Sequence, residues 1–243
     1  MSTVKNRQIV LDTETTGMNM VGVHYEGHRI IEIGAVEVIN RRLTGNNFHV
    51  YLKPDRLVDP EAFGVHGISD EFLLDKPEFS QVADEFLDYI RGAELVIHNA
   101  SFDIGFMDYE FEKLNRGLAK TETFCEITDS LLMARKMFPG KRNSLDALCS
   151  RYDIDNTKRT LHGALLDAEI LSDVFLAMTG GQTSLTFSSD NDQSEQSDGG
   201  IIHREVRNAG GLRVVRASDD EISAHEARLD LVMKKGGSCL WRI

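Results

Sequence analysis

The chain has 243 residues, 41% hydrophobic and 27% charged, which suffices for one core of about 150–200 residues plus a further segment, and no apolar run approaches the roughly 18 residues that cross a bilayer. A net charge of −12 argues against a broad grip on duplex backbones. An acidic chain that meets nucleic acid must do so over a small footprint, where cations held by gathered carboxylates supply the positive charge.

MSTVKNR leads straight into a strand-like IVLDTE with no signal-peptide core, so a cytoplasmic protein without a membrane partner is expected. Residues 8–13, 30–39 and 47–53 are β-branched and largely apolar, and Thr44-Gly45-Asn46 is a turn signal before the third; the short connection predicts an antiparallel hairpin of the second and third. Phe79, Val82, Ala83, Phe86, Leu87 and Ile90 fall at helical spacing, with Gly92 as a stop. ELVIH at 94–98 reads as a buried strand. Ile104, Met107, Phe111 and Leu114 mark the next helix, TFCEIT at 123–128 another strand, and 129–138, 144–152 and 163–178 further helices. Strands first antiparallel, then alternating with helices, predict an α/β fold: a mixed sheet flanked by helices.

The composition changes at Gly180-Gly181. TSLTFSSDNDQSEQSDGG has too few large apolar residues to offset the cost of ordering, so 182–200 reads as a flexible linker between a domain at 1–181 and a segment at 201–243. In that last segment LRVVRA resembles a strand, and Ser218-Asp-Asp-Glu221 is a capping-box pattern before a helix carrying Ile222, Leu229, Leu231 and Val232. So short a segment seldom folds alone, and its apolar residues are expected to complete their burial on another protein. The cysteines Cys125, Cys149 and Cys239 are odd in number and in no C-x-x-C pair, which disfavours a zinc or disulfide framework.

Asp12 and Glu14 sit two residues apart at the end of the first strand, so their side chains leave the same face with α-carbons about 6–7 Å apart. Two anions this close have reason to bind cations, and oxygen ligands suit Mg²⁺ or Mn²⁺. Asp103 would open the helix after ELVIH, where an Asp is also a common cap. His162 and Asp167 are five residues apart, about 140° around a helix, and converge only if His162 stays on the approach loop before Gly163 while Asp167 lies one turn inside. Asp167 interrupts an apolar run, and a carboxylate among core-facing residues needs a partner or a metal.

Taken together, D-x-E on an opening strand, an Asp after a later strand and H-x-x-x-x-D at the final helix resemble the motifs of the DEDDh exonucleases of the ribonuclease-H-like superfamily. LDTETTG at 11–17, VHGIS at 65–69, HNASFD at 98–103, NSLDALCSRY at 143–152 and LHGALLDA at 161–168 look like family segments, covering nearly all of residues 7–180. Within the family the likeness is closest to proofreading subunits of bacterial replicative polymerases, including the Gln-containing linker and the GGSCLWR ending.

The resemblance implies that Asp12, Glu14, Asp103 and Asp167 hold two divalent ions, that His162 is the general base, and that the product is a nucleoside 5′-monophosphate. It implies substrate contacts at Glu61 and His66, with Thr15, Thr16 and Gly17 letting the backbone approach a frayed, single-stranded DNA 3′ end; His66 and His98 are equally readable as loop histidines. It also implies partners: the catalytic alpha subunit of the polymerase, anchored through Leu240 and Trp241; the sliding clamp, weakly, through Gln182, Leu185 and Phe187; and a small theta-type subunit. An RNA-trimming exonuclease would use the same five residues but has no need of linker and tail, and a scaffold bridging clamp and polymerase has no need of the acids.

Overall fold

Period-two alternation builds the sheet. In β1 (Arg7–Thr15), Ile9 and Leu11 face one side and Val10 the other. Both faces are buried, so the strand reads as a continuous apolar run rather than a half-polar one. The computed structural model describes residues 7–157, 159, 161–180 and 216–242. The chain divides into two compact units, residues 1–186 and 187–243.

In the first unit β1 pairs antiparallel with β2 (Ile30–Ile39) and parallel with β5 (Glu94–Ile97), which pairs parallel with β6 (Glu126–Asp129). The outer edge of β2 pairs with β3 (Arg42–Leu43) and β4 (Phe48–Tyr51), the expected hairpin. The order is β3-β2-β1-β5-β6, with β4 beside β2. Strands antiparallel at one side and parallel at the other make the mixed sheet that the sequence predicts.

One face is covered by α3 (Phe79–Ile90) and α4 (Ala100–Lys113): Ile9, Leu11, Ile33, Leu95 and Ile97 pack with Phe86, Ile90, Phe106 and Phe111. The other is covered by α5 (Ser130–Met137), α6 (Leu145–Tyr152) and α7 (Ala164–Thr179), with Val10, Val36 and Val96 against Ala134, Leu148, Leu171 and Val174. Each fully buried aliphatic chain contributes about 1.5–3 kcal/mol.

Three details depart from the predicted elements. Two short helices, α1 (Pro60–His66) and α2 (Asp70–Leu73), follow β4. The strand expected at 123–128 begins only at Glu126, because Thr121 donates both its N–H and its hydroxyl to Asp108 and starts a 3-10 turn instead. β1 runs on to Thr15, so Asp12 and Glu14 lie inside the strand, and a bulge follows between Glu14 and Thr15.

In the second unit α8 (Asp219–Gly236) starts with the expected capping box: Ser218 Oγ accepts from the Glu221 N–H, and the Glu221 carboxylate accepts from the Ser218 N–H. Arg242 pairs back onto α8 through Asp230 at 2.6 Å and through Glu226. The linker at 182–200 and the strand expected from Leu212 lie outside the described residues, apart from Arg216 and Ala217.

Candidate active site

Register and parity deliver the acids to one place. Asp12 stands opposite Gly34 and Glu14 opposite Glu32. Sharing the parity of Val10, both point to the α7 side of the sheet. Asp167 is the fourth residue of α7 and is buried; Gly163, with extended backbone, caps that helix and leaves His162 on the loop before it. This is the arrangement that lets residues five apart converge. The His162 N–H bonds Val65 O at 3.2 Å, tying the loop to α1. Glu14, His162 and Asp167 offer ligand atoms within 4.8 Å of one another.

Asp103 comes from the other face, in the first turn of α4. It is not a helix cap. Its Oδ1 accepts the Thr13 hydroxyl at 2.7 Å, a buried bond between α4 and β1. Asn99, immediately before α4, takes a left-handed conformation (φ 72°) instead of capping with its side chain.

The electrostatics follow from this crowding. Burial, then the charges of Asp103, Glu14 and Asp167, hold the Asp12 carboxyl well above its usual range. Glu14 is pushed up to about 8 by burial, then by Asp167, Glu32 and Asp103. Asp103 is pushed up to about 7, chiefly by burial, with the Thr13 hydrogen bond opposing. These four carboxylates share one field, which a positive charge placed among them relieves.

One such charge belongs to the chain. Arg159 donates to both oxygens of Asp167, Nε–Oδ1 at 2.5 Å and Nη2–Oδ2 at 2.8 Å, and its Nη1 bonds Asp146 at 2.9 Å. Nη2 also lies 3.1 Å from His162 Nδ1. Burial and the Arg159 charge lower the His162 pKa, which favours the neutral imidazole able to accept a proton. A second unpredicted residue is Glu32. Buried in β2, it takes a 2.7 Å bond from His49 Nε2 and accepts the Ala164 N–H at 3.1 Å, fixing the start of α7 against the sheet. Acids inside an otherwise apolar strand were the signal for Glu32; Arg159, in the polar run DNTKRT, carried none.

The remaining predicted positions fall into three groups. Thr15 and Gly17 lie just past the cluster, and Gly17 has φ 137°, a backbone conformation that favours glycine; a Cβ there would also come within 2.4 Å of Asp59 Oδ2 and displace that side chain. His66 is buried at the end of α1, its Nδ1 accepting the Ile68 N–H, its pKa lowered by burial. Glu61 is exposed on α1, and among the described residues no hydrogen bond or ion pair ties it to the carboxylates. Trp241 is 83% exposed. Gln182, Leu185, Phe187 and the side chain of Leu240 lie outside the described residues.

The donor set fits hard divalent cations: four carboxylates from three segments, β1, α4 and α7, an imidazole beside them, and a guanidinium already seated as a cationic stand-in on one carboxylate. Residues 9–175 match the family described as Exonuclease (RNase_T). The chain belongs to that family, and its mixed sheet with flanking helices is the ribonuclease-H-like fold. Over 242 residues, the whole of both chains, it is 76% identical to the DNA polymerase III subunit epsilon of Escherichia coli (strain K12). The corresponding subunit of Haemophilus influenzae (strain ATCC 51907 / DSM 11121 / KW20 / Rd) is 60% identical, covering 97% of this chain and 94% of its own. The solved structure of exonuclease X in complex with 5′ overhanging duplex DNA is 27% identical with a TM-score of 0.53, covering 72% of this chain and 94% of its own. Its branch of the exonuclease family is that of the DNA polymerase III epsilon subunits.

Proposed function

We propose that the chain is the proofreading 3′→5′ exonuclease subunit of a bacterial replicative DNA polymerase, hydrolysing the terminal phosphodiester of a frayed DNA 3′ end. The observation that carries this reading is the meeting of Asp12, Glu14, Asp103, Asp167 and His162 at one end of the sheet, in a chain related over its full length to epsilon subunits.

Asp12, Glu14, Asp103 and Asp167 would hold two divalent ions, Mg²⁺ or Mn²⁺, which when bound would lower the pKa of the attacking water and stabilise charge on the leaving oxygen. Neutral His162 takes the water's proton as the oxygen attacks phosphorus and the P–O3′ bond breaks. The departing 3′-oxygen regains a proton from solvent, and a nucleoside 5′-monophosphate leaves. Thr15, Gly17, Glu61 and His66 bound the terminal nucleotide, Gly17 by letting backbone approach closely. A mismatch lowers the cost of unpairing the end, so no sequence readout is needed.

Residues 1–181 form the catalytic domain. Residues 182–200 link it to a segment, 201–243, that binds the DNA polymerase III alpha subunit through Trp241 and Leu240; Gln182, Leu185 and Phe187 contact the sliding clamp, and a theta-type subunit binds the catalytic domain. Tethering raises the effective concentration at the primer end, which suits an acidic chain with little intrinsic affinity. A 5′-labelled, 3′-mismatched primer digested with and without Mg²⁺ tests the reading. The parent shortens the primer stepwise from its 3′ end only with metal, and Asp12→Ala loses nearly all of that. Digestion by Asp12→Ala at close to the parental rate defeats the assignment.

A further inference from the structure

The carboxyl ends of β5 and β6 open onto a cavity of about 580 Å³, lined by His98, Leu131, Arg135, Gly140, Lys141, Asn143 and Ser144. Ligands of open α/β sheets sit in the crevice beyond the strand carboxyl ends. β5 is the parallel neighbour of β1, so His98, which follows β5 and lines the cavity, lies one strand over from the strand carrying Asp12 and Glu14.

Its charge is opposite to that of the molecule. Residues 131–145 contain no Asp or Glu but hold Arg135, Lys136, Lys141 and Arg142, in a chain of net charge −12. All four are exposed, and among the described residues none of these side chains is ion-paired. Elsewhere the arginines of this unit are largely committed: Arg7 to Glu37, Arg29 to Glu110, Arg116 to Asp84 and Arg159 to Asp167. The acids beside it are engaged: Asp129 caps α5 by accepting the Leu131 and Leu132 N–H groups and also accepts the Ala100 N–H, and Asp146, in the first turn of α6, is bound by Arg159 and Asn156.

Arg135 and Lys136 stand in the last turn of α5, and the loop that presents Lys141 and Arg142 is held from beneath. Asn143 Nδ2 donates to Phe138 O and Lys141 O, and Asn143 Oδ1 accepts from Arg151. Arg151 also bonds Arg142 O and lies 4.2 Å from the centre of the Phe138 ring. Gly140 supplies the positive-φ turn, at 73°. Free cations at a helix end and on a braced loop, beside a hydroxyl at Ser144, suit a backbone anion more than a base.

We propose that this cavity is a second subsite, seating a backbone phosphodiester of the single strand upstream of the scissile bond, with Arg135 and Lys141 as its ligands. The proposal rests on the exonuclease reading above for the identity of the strand. It explains how an acidic enzyme registers its substrate: the terminal phosphate meets metal-bearing carboxylates, and the next phosphates meet the basic stretch beside them.

The test uses the full-length chain and a 5′-fluorescent oligonucleotide of about ten nucleotides, a usual site size for single-strand binding. Arg135→Gln combined with Lys141→Gln is compared with the parent, with the charge-conserving pair Arg135→Lys and Lys141→Arg, and with Lys53→Gln as a remote control. Binding is read by anisotropy in chelator and hydrolysis in Mg²⁺. The glutamine pair weakens oligonucleotide binding and raises its KM about tenfold, leaves kcat unchanged, and leaves KM for a dinucleotide, whose one phosphodiester is the scissile one, unchanged. The slope of log affinity against log salt shallows by about 0.7 for each phosphate that the variant no longer neutralises. The charge-conserving pair and Lys53→Gln stay near the parent. Equal binding by parent and glutamine pair overturns the subsite, as does an equal rise in KM for dinucleotide and long strand. Loss of affinity for thymidine 5′-monophosphate as large as that for the oligonucleotide reassigns the cavity to the product and also overturns it. If the glutamine pair weakens binding while the parent hydrolyses nothing, the subsite stands and the exonuclease reading falls.

Discussion

Arg159 and Asp167 form a bidentate pair, and among the described residues Arg159 is the sole guanidinium donor to a carboxylate that also faces His162 at 3.4 Å. The side chains are 8% and 3% exposed, so the pair is desolvated and strong in geometry. A divalent ion using the same two oxygens competes with it. In chelator, Arg159→Gln leaves a buried carboxylate without its guanidinium and lowers the melting temperature. The same substitution removes both competitor and repulsive charge, so Mn²⁺ binds about tenfold tighter in calorimetric titration. Unchanged or weaker Mn²⁺ affinity in the variant rules out the competition.

The raised carboxyls give the chelator-treated protein a distinctive pH dependence. Below its ordinary value of 4.5, Glu14 is protonated in folded and unfolded chains alike, and its contribution is complete. Between there and about 8 the unfolded chain releases a proton that the folded one keeps, so stability falls as pH rises. Asp103, raised from 3.8 to about 7, acts in the same direction. The melting temperature in chelator therefore declines from roughly pH 5 to pH 8, and Mg²⁺ or Glu14→Gln flattens the decline. A parental slope that survives in Glu14→Gln excludes this origin.

Gly34, opposite Asp12, lies under the first turn of α7. A Cβ there would come within 2.1 Å of the Leu165 backbone nitrogen, a clash no rotamer relieves. Gly34→Ala pushes α7, and Asp167 with it, off the sheet. We expect a loss of at least about 3 kcal/mol, read as a lower urea midpoint at unchanged slope. Retention of the parental midpoint means the helix seats elsewhere.

Glu32 holds the same junction from the side. Its carboxylate ties β4 through His49 and accepts the first N–H of α7. Glu32→Ala leaves that buried N–H without a partner, at a cost of about 1–3 kcal/mol in thermal or urea melts, whereas Glu32→Gln keeps an acceptor and loses less. Equal losses in the two variants make the charge, not the hydrogen bond, the stabilising feature.

Asp12, Glu14 and Asp167 stood out in the sequence because charges interrupt patterns that burial otherwise explains, Asp12 and Glu14 in an apolar strand and Asp167 within Ala-Leu-Leu-Ala; that they form one set with Asp103 and His162 came from the order of motifs resembling the DEDDh exonucleases. The mixed sheet was legible because β-branched runs alternate with helical periodicity after residue 79. Other features depend on residues distant in the chain. Arg159 looks like an ordinary solvated cation until the α7 approach loop folds it onto Asp167, and Thr13 is unremarkable until α4 brings Asp103 to its hydroxyl 90 residues away. Helix α1 had local signals, Pro60 at its first position and left-handed Gly67 at its end, but seven residues show too little periodicity to stand out.

The second unit exposes apolar surface that its own fold leaves uncovered. Ile222, Leu231, Val232 and Met233 of α8 are 40–50% exposed and Trp241 is 83% exposed. Scattered exposure is ordinary, but an exposed Trp beside a helix with apolar residues on its surface has the character of an interface anchor. Because so little of Trp241 is buried in the folded chain, Trp241→Ala should leave the melting temperature and the digestion of short oligonucleotides at parental values. Affinity for the polymerase alpha subunit should fall by about 2 kcal/mol, near thirtyfold, in a surface-immobilised titration. Parental affinity in Trp241→Ala removes Trp241 from the anchor; loss of oligonucleotide digestion in the same variant makes the second unit part of the catalytic machinery rather than a tether.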